Sequence, residues 1–92
     1  MIVEIKAALE AMKQTVALDN VAMNNALNDC LALSEPRNKT VTPLESHFDS
    51  CLWFADEVGF DEAYPTDEDK AYAIALSSIE EILVEKALIY ND

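Results

Sequence analysis

The chain has 92 residues, with 18 acidic and 6 basic side chains and a formal net charge of −12. This charge excludes a dedicated nucleic-acid-binding domain, whose phosphate contacts need clustered Lys and Arg, and it disfavours docking on anionic lipid. Because 51% of the residues are hydrophobic, the chain is not a disordered acidic tail. Its single Gly and 3 Pro leave few helix breakers. We therefore predict one small all-α domain over residues 1–92.

Apolar residues at heptad spacing run through the first third of the chain. Positions 2, 9, 16, 23 and 30 lie seven apart, and positions 5, 12, 19, 26 and 33 fill the companion places. Nine of these ten residues are apolar, which predicts a helix with a continuous seam. Asp19 and Asn20 interrupt the pattern, so either one helix spans about residues 2–34 or two helices meet at this pair. The unbroken phase slightly favours one long helix.

The seam also offers a surface for self-association. Residues 1–42 carry a net charge of only −1, which suits a scaffold or a contact between copies of the chain. In a homodimer the contacts would come from the N-terminal seam residues, namely Ile2, Ile5, Leu9, Met12 and Val16.

Two further helices are predicted after a linker at residues 35–41. The first starts near Thr42 and ends at Val58, with Gly59 supplying a left-handed residue. Its start is marked by a cap, a first-turn proline and a third-position glutamate, which are Thr42, Pro43 and Glu45. A loop over 60–65 then leads to Thr66, which caps a last helix that runs to about Tyr90. We expect a small antiparallel bundle of three long or four shorter helices.

Carboxylates are concentrated at residues 56–69, which we call the acidic segment. Seven of its fourteen residues are acidic and none is basic, the seven being Asp56, Glu57, Asp61, Glu62, Asp67, Glu68 and Asp69. Such a field attracts a basic partner and accelerates association. Like charges at this density oppose the folding of a small domain, and solubility does not require so many. We therefore expect a binding surface rather than only a solvated loop.

Aromatic residues accompany these charges. The only Trp, Trp53, falls with Asp49 and Asp56 on the helix face opposite the apolar one. A large aromatic side chain ringed by charge has the composition of a binding hot spot. Tyr64, within the acidic segment, is a second candidate anchor. Alternatively, the loop that follows this helix covers Trp53.

The sequence indicates neither an enzyme nor a metal site. His47 and Cys51 lie four apart on one helix, and a Cys–His pair can be nucleophilic. No Gly-rich turn supplies an oxyanion site, so we expect a buried thiol beside a half-buried imidazole. Cys30, His47 and Cys51 lack the close ligand pairs of a zinc site, and the acidic residues do not follow a calcium-loop pattern. We predict no cofactor and no metal.

The sequence also predicts a cytoplasmic location. The N-terminus has no basic region ahead of an apolar run, so it is not a signal peptide. No window approaches the roughly 18 uncharged apolar residues of a membrane span. The 2 Cys form no close-spaced pair, which favours a reduced compartment.

A short pattern in the second half resembles a known family. It consists of His47-Phe48-Asp49 and, further along, Tyr64-Pro65. Over residues 44–65 it is similar to the small acidic immunity proteins that neutralise DNase colicins. Those are four-helix domains with an acidic helix and a Tyr-Pro near the inhibitory face. The match covers less than a quarter of the chain and implies a nuclease inhibitor.

Together these features predict a non-enzymatic inhibitor that binds the basic groove of a nucleic-acid-handling protein. Nuclease-toxin immunity proteins and phage-encoded anti-defence inhibitors belong to this class, and such an inhibitor can act as a nucleic-acid mimic. The partner would be a basic protein, with no direct contact to nucleic acid or membrane. The alternative is a helical homodimeric adaptor or assembly module, in which the acidic surface only confers solubility.

Overall fold

The computed structural model describes residues 2–35 and 40–90. These residues fold into a bundle of helices, which confirms the predicted fold class. Its elements are α1 Ile2–Thr15, α2 Val21–Leu33, α3 Thr42–Phe48, a π-helical turn Asp49–Trp53, α4 Phe54–Val58, α5 Phe60–Ala63 and α6 Asp67–Glu85. Residues 36–39, the middle of the predicted linker, lie outside the described residues. Within the described ranges, no helix combines the length and apolarity needed to cross a bilayer.

The hydrophobic core joins α1, α2, α3 and α6. The most extensive helix pair is α2 with α6, and α1 packs on α2. Ile2, Ile5 and Leu9 are buried within the single chain, while Met12 and Val16 are partly buried against the same core. The chain thus uses its candidate self-association residues for its own interior. A dimer through the buried members of this set would require α1 to leave the core.

Residues 2–34 form two helices, so the preference for one long helix is wrong. The Asn20 side-chain oxygen accepts a hydrogen bond from the Met23 N–H at 3.2 Å and thereby caps α2. The Asn24 side-chain amide donates to the carbonyl oxygens of Ala17, at 3.0 Å, and Asn20, at 2.9 Å. The Asn20 cap satisfies an N–H that the start of a helix leaves open, and the Asn24 amide adds a second donor to two carbonyls of the turn. The chain can therefore turn here while both helices keep their apolar faces towards the core.

Replacing the α2 cap, Asn20→Ala, is expected to lower the free energy of unfolding by about 1 kcal/mol, because the Met23 N–H loses its acceptor. Chemical denaturation followed by circular dichroism measures the change. Asn25→Ala is the matched control, since Asn25 is exposed within α2 and Ala has the higher helix propensity. An unchanged midpoint for Asn20→Ala would show that the cap contributes nothing.

The start of α3 differs from the predicted cap. Thr42 is the first helical residue, and Val41 occupies the N-cap position without a side-chain bond. The Glu45 carboxylate instead accepts the Tyr90 backbone N–H, with 2.6 Å between Oε2 and N. Because this carboxylate is used by the C-terminal segment, it is not folded back on a capping box. The bond ties the end of the chain to α3.

The helical path from α3 to α4 contains a π-helical turn that the sequence analysis did not predict. One extra residue in a turn rotates the following side chains by roughly 100° relative to a regular α-helix. Phe48, before the turn, is fully buried, whereas Val58, after the turn, is exposed. The helix ends at Val58 as predicted, and Gly59 follows with φ of +94°. Only glycine adopts this conformation without steric cost.

The predicted loop at 60–65 contains the single-turn helix α5, so its description as irregular is wrong. Thr66 caps α6 as predicted, because its Oγ1 accepts the Asp69 N–H at 3.0 Å. Three acidic residues then occupy the first turn of α6, where they meet the positive end of the helix dipole.

The end of α6 lies at Glu85 and not near Tyr90. The Leu88 N–H donates to the Leu83 carbonyl at 3.0 Å, and the Ala87 N–H donates to the Val84 carbonyl at 2.9 Å. This bonding closes the helix as a Schellman motif, with Ala87 in the left-handed conformation at φ of +57°. Glycine usually marks that position, so an alanine there gave no sequence signal.

Candidate functional site

The acidic segment forms a continuous run of short helical elements. Asp56 and Glu57 lie in α4, Asp61 and Glu62 in α5, and the remaining three acids begin α6. All seven acidic residues are exposed. Asp61 forms an ion pair with Lys70, at 3.7 Å between Oδ1 and Nζ. No other acid of the segment lies within ion-pair distance of a lysine in the described part of the chain.

Lys70 fixes the position of the acidic segment on the bundle. Its Nζ donates to the Tyr64 carbonyl oxygen at 2.6 Å and also faces Asp61. One lysine of α6 therefore binds both α5 and the residue that follows it. Together with the Thr66 cap, these contacts hold the carboxylates on the bundle. Among residues 2–35 and 40–90, Asp61 is the one acid of the segment that is paired with a lysine.

Trp53 is exposed, which decides between the two alternatives that the sequence left open for this side chain. Its side chain lies on the π-helical turn with 61% of its surface accessible, so the following segment does not cover it. Its neighbour Phe54 is also exposed. Asp49, one turn earlier, is exposed but lies towards the C-terminal segment, since its charge helps to raise the pKa of Tyr90. Burial and the bond from Tyr90 to Glu80 contribute more to that shift.

Tyr64 faces inwards and does not project as an anchor. Its ring packs 5.4 Å from that of Phe60, between centroids. Its hydroxyl is buried without a hydrogen-bond partner among the described residues. Burial, followed by the influence of Cys51, raises the pKa of this phenol. Tyr64 therefore contributes an apolar wall with one unsatisfied hydroxyl.

An apolar groove of about 440 Å³ lies beside the acidic segment, between α4–α5 and α6. Its apolar lining comes from Leu52, Ala55, Phe60, Tyr64, Ala73 and Ile74. Asp56 and Glu80 also line it, so carboxylates border the apolar surface. Ile74 is 60% exposed, which leaves a branched apolar side chain of α6 open to solvent. Exposed apolar surface bordered by charge is typical of a protein-binding site.

Part of this groove can be recognised in the sequence. Phe60 and Tyr64 are aromatic residues of the acidic segment, and Ile74 is an apolar residue of the last predicted helix. No sequence pattern marks Glu80 as a residue of the groove, because its place there depends on how α6 packs against α4 and α5.

The structure brings together Asp56, Phe60 and Tyr64 in the groove, and Asp61 meets the start of α6 through Lys70. Within residues 2–35 and 40–90, no group of three His, Cys, Asp or Glu side chains is placed to hold a metal ion. Comparisons with protein-family models, with curated proteins and with solved structures find no match for this chain. The surface must therefore be interpreted from its own chemistry.

Proposed function

We propose that this chain is a non-enzymatic inhibitor that binds the cationic nucleic-acid groove of a partner protein. The observation that carries the proposal is the exposed acidic segment, in which the one ion pair with a described lysine is that of Asp61 with Lys70. A basic groove offers closely spaced Lys and Arg side chains, which complement carboxylates held at fixed positions. Immunity proteins against nuclease toxins and phage-encoded anti-defence inhibitors are the members of this class that we consider.

The apolar groove supports the same proposal. Charge steers association, but affinity in protein complexes comes largely from a few buried apolar or aromatic anchors. Trp53 can insert into the partner, while the groove beside Asp56 can receive an apolar side chain flanked by Lys or Arg. The occupant we propose is thus an apolar residue within a basic segment of the partner. Solubility alone does not account for apolar surface next to the carboxylates.

The adaptor alternative gains no support from the fold. Its proposed dimer face includes Ile5 and Leu9, which are fully buried in the single chain. A second copy would also bring two chains of net charge −12 together. The acidic segment itself is therefore unsuited to self-association.

Capture followed by displacement tests the proposal. The chain is immobilised through its N-terminus, exposed to a cell extract freed of nucleic acid, and washed with duplex DNA or with an uncharged polymer. We expect a basic nucleic-acid-binding protein to be retained and to be released by DNA but not by the polymer. If retained proteins are indifferent to DNA, or if no basic protein is retained, the proposal is overturned.

A further inference from the structure

A chain of four polar side chains lies outside the acidic segment and connects four elements of the bundle. The Tyr72 hydroxyl on α6 donates to Asp29 Oδ2 on α2, at 2.6 Å. His47 Nε2 on α3 lies 3.2 Å from the same hydroxyl. The Cys51 sulfur on the π-helical turn lies 3.8 Å from His47 Nδ1. We call these residues the polar relay.

The direction of each hydrogen bond in the polar relay follows from its end at Asp29. A carboxylate only accepts hydrogen bonds, so the Tyr72 hydroxyl donates its single proton to the bond with Asp29. The phenol oxygen must then accept from His47, which places the imidazole proton on Nε2. Nδ1 is left with a lone pair directed at the Cys51 thiol. In the polar relay, Asp29 thus orients His47 through the Tyr72 phenol. His47 is in turn the base that lies next to the Cys51 thiol.

The surroundings keep the Tyr72 phenol and the Cys51 thiol protonated, as this scheme requires. Burial, the bond to Asp29 and the charge of Asp29 raise the pKa of Tyr72, so its phenol remains a donor. Burial and then Asp29 raise the pKa of the Cys51 thiol. Because this thiol holds its proton at neutral pH, it can react quickly only if a base takes the proton during attack. His47 Nδ1 is placed to do so.

We infer that Cys51 is a modification site whose thiol, with His47 as base, exchanges with low-molecular-weight disulfides such as glutathione disulfide. As the Cys51 sulfur bonds to one sulfur of the disulfide, its proton passes to His47 Nδ1. The disulfide S–S bond breaks, and the departing thiolate takes that proton. The products are a mixed disulfide on Cys51 and one free thiol, so the protein sulfur is oxidised and the departing sulfur reduced.

Three observations support this site over a merely buried cysteine. Cys51 is partly exposed, whereas Cys30 is fully buried. The π-helical turn that carries Cys51 is a rare conformation that occurs often at functional sites. Tyr72 and Asp29 stabilise the imidazolium formed during exchange, since the Nε2–H of His47 already points at the phenol oxygen. These two are positioning residues, and His47 handles the transferred proton.

The pH dependence of the wild-type reaction gives the first test. Among the described residues, the titratable groups that act on Cys51 or on the polar relay include Asp29 and Cys30 on α2, Tyr72 on α6, and Tyr64. Burial raises the pKa of Cys30 to about 12, and the pKa values of both phenols are also raised, so none of these three titrates between pH 7 and 8. With His47 as the base, the exchange rate at Cys51 is expected to be nearly constant over that interval, because the reaction does not pass through the free thiolate. A tenfold rise per pH unit would overturn the proposal, because it would show reaction through a free thiolate.

Variants give the second test, with glutathione disulfide as the probe and mass spectrometry to locate the modification. His47→Gln is expected to slow exchange at Cys51 at least about tenfold at pH 7.5 and to restore the tenfold rise per pH unit. Tyr72→Phe is expected to slow exchange at Cys51 less than His47→Gln does. Its exchange rate should still be nearly independent of pH, since His47 remains as the base. When the wild type and both variants are unfolded in urea, their exchange rates at Cys51 should be equal. A rate difference that is present only without urea then comes from the folded site and not from unfolding. Unchanged kinetics in folded His47→Gln, or modification of Cys30 as fast as Cys51, would contradict the assignment.

Discussion

Reversal of four charges in the acidic segment, in the variant D56K/E57K/D61K/E62K, is expected to weaken binding to the captured basic protein at least about 100-fold. Each reversal removes an attraction and adds a repulsion against the cationic groove, and losses of this size are typical when several charge pairs of one interface are broken. The remaining affinity should also lose its dependence on salt, since fewer charges are screened. Isothermal titration calorimetry at two salt concentrations measures both effects.

A second quadruple variant serves as the matched control. E10K/D19K/E81K/E85K changes the net charge by the same amount, but at exposed positions away from the acidic segment. We expect this control to bind within about threefold of the wild type, because short-range complementarity is retained. Equal losses in the two variants would show that net charge alone drives the association. Circular dichroism confirms that both variants remain helical.

Leu9→Asp is expected to unfold the chain. Leu9 is fully buried in the core, where truncation alone costs about 2–5 kcal/mol and an unpaired carboxylate adds a desolvation cost. The total stability of a small domain is about 5–15 kcal/mol, so little of it would remain. Loss of the far-UV helical signal and of a cooperative thermal transition measures this outcome.

Leu18→Asp is the control for Leu9→Asp, because Leu18 is 96% exposed in the turn between α1 and α2. Its stability should change by no more than about 0.5 kcal/mol. Sedimentation of both variants separates the core from the adaptor alternative. If Leu9→Asp yields folded monomers from a wild-type dimer, the seam is a contact between copies and the description of it as core is wrong.

Local signals explain which parts of the fold could be predicted. The cap at Thr66 and the left-handed Gly59 each depend on one residue and its immediate neighbours, and both are present as predicted. The exposure of Trp53 followed from helical spacing, since its neighbours on that face are polar. Heptad spacing marked apolar residues that pack in or against the core, but it could not decide between one helix and two that meet at Asp19 and Asn20. Two short helices facing one core preserve the same spacing as a single long helix.

Tertiary contacts explain what could not be predicted. Glu45 satisfied the local rules for a capping box, yet its carboxylate binds the Tyr90 N–H at the far end of the chain. Asp29 and Tyr72 are 43 residues apart, so no local pattern joins them to His47. The apolar groove likewise exists only because α6 packs beside α4 and α5. In each case the contact depends on packing that single-sequence patterns do not contain.

Competition between this chain and nucleic acid on the captured partner is the most direct measurement of the central claim. Native mass spectrometry of the partner, mixed with equal amounts of the chain and a duplex oligonucleotide, counts the species formed. If the acidic segment fills the nucleic-acid groove, two binary complexes and no ternary complex will be present. A stable ternary complex, with both ligands on one partner molecule, would contradict the proposal.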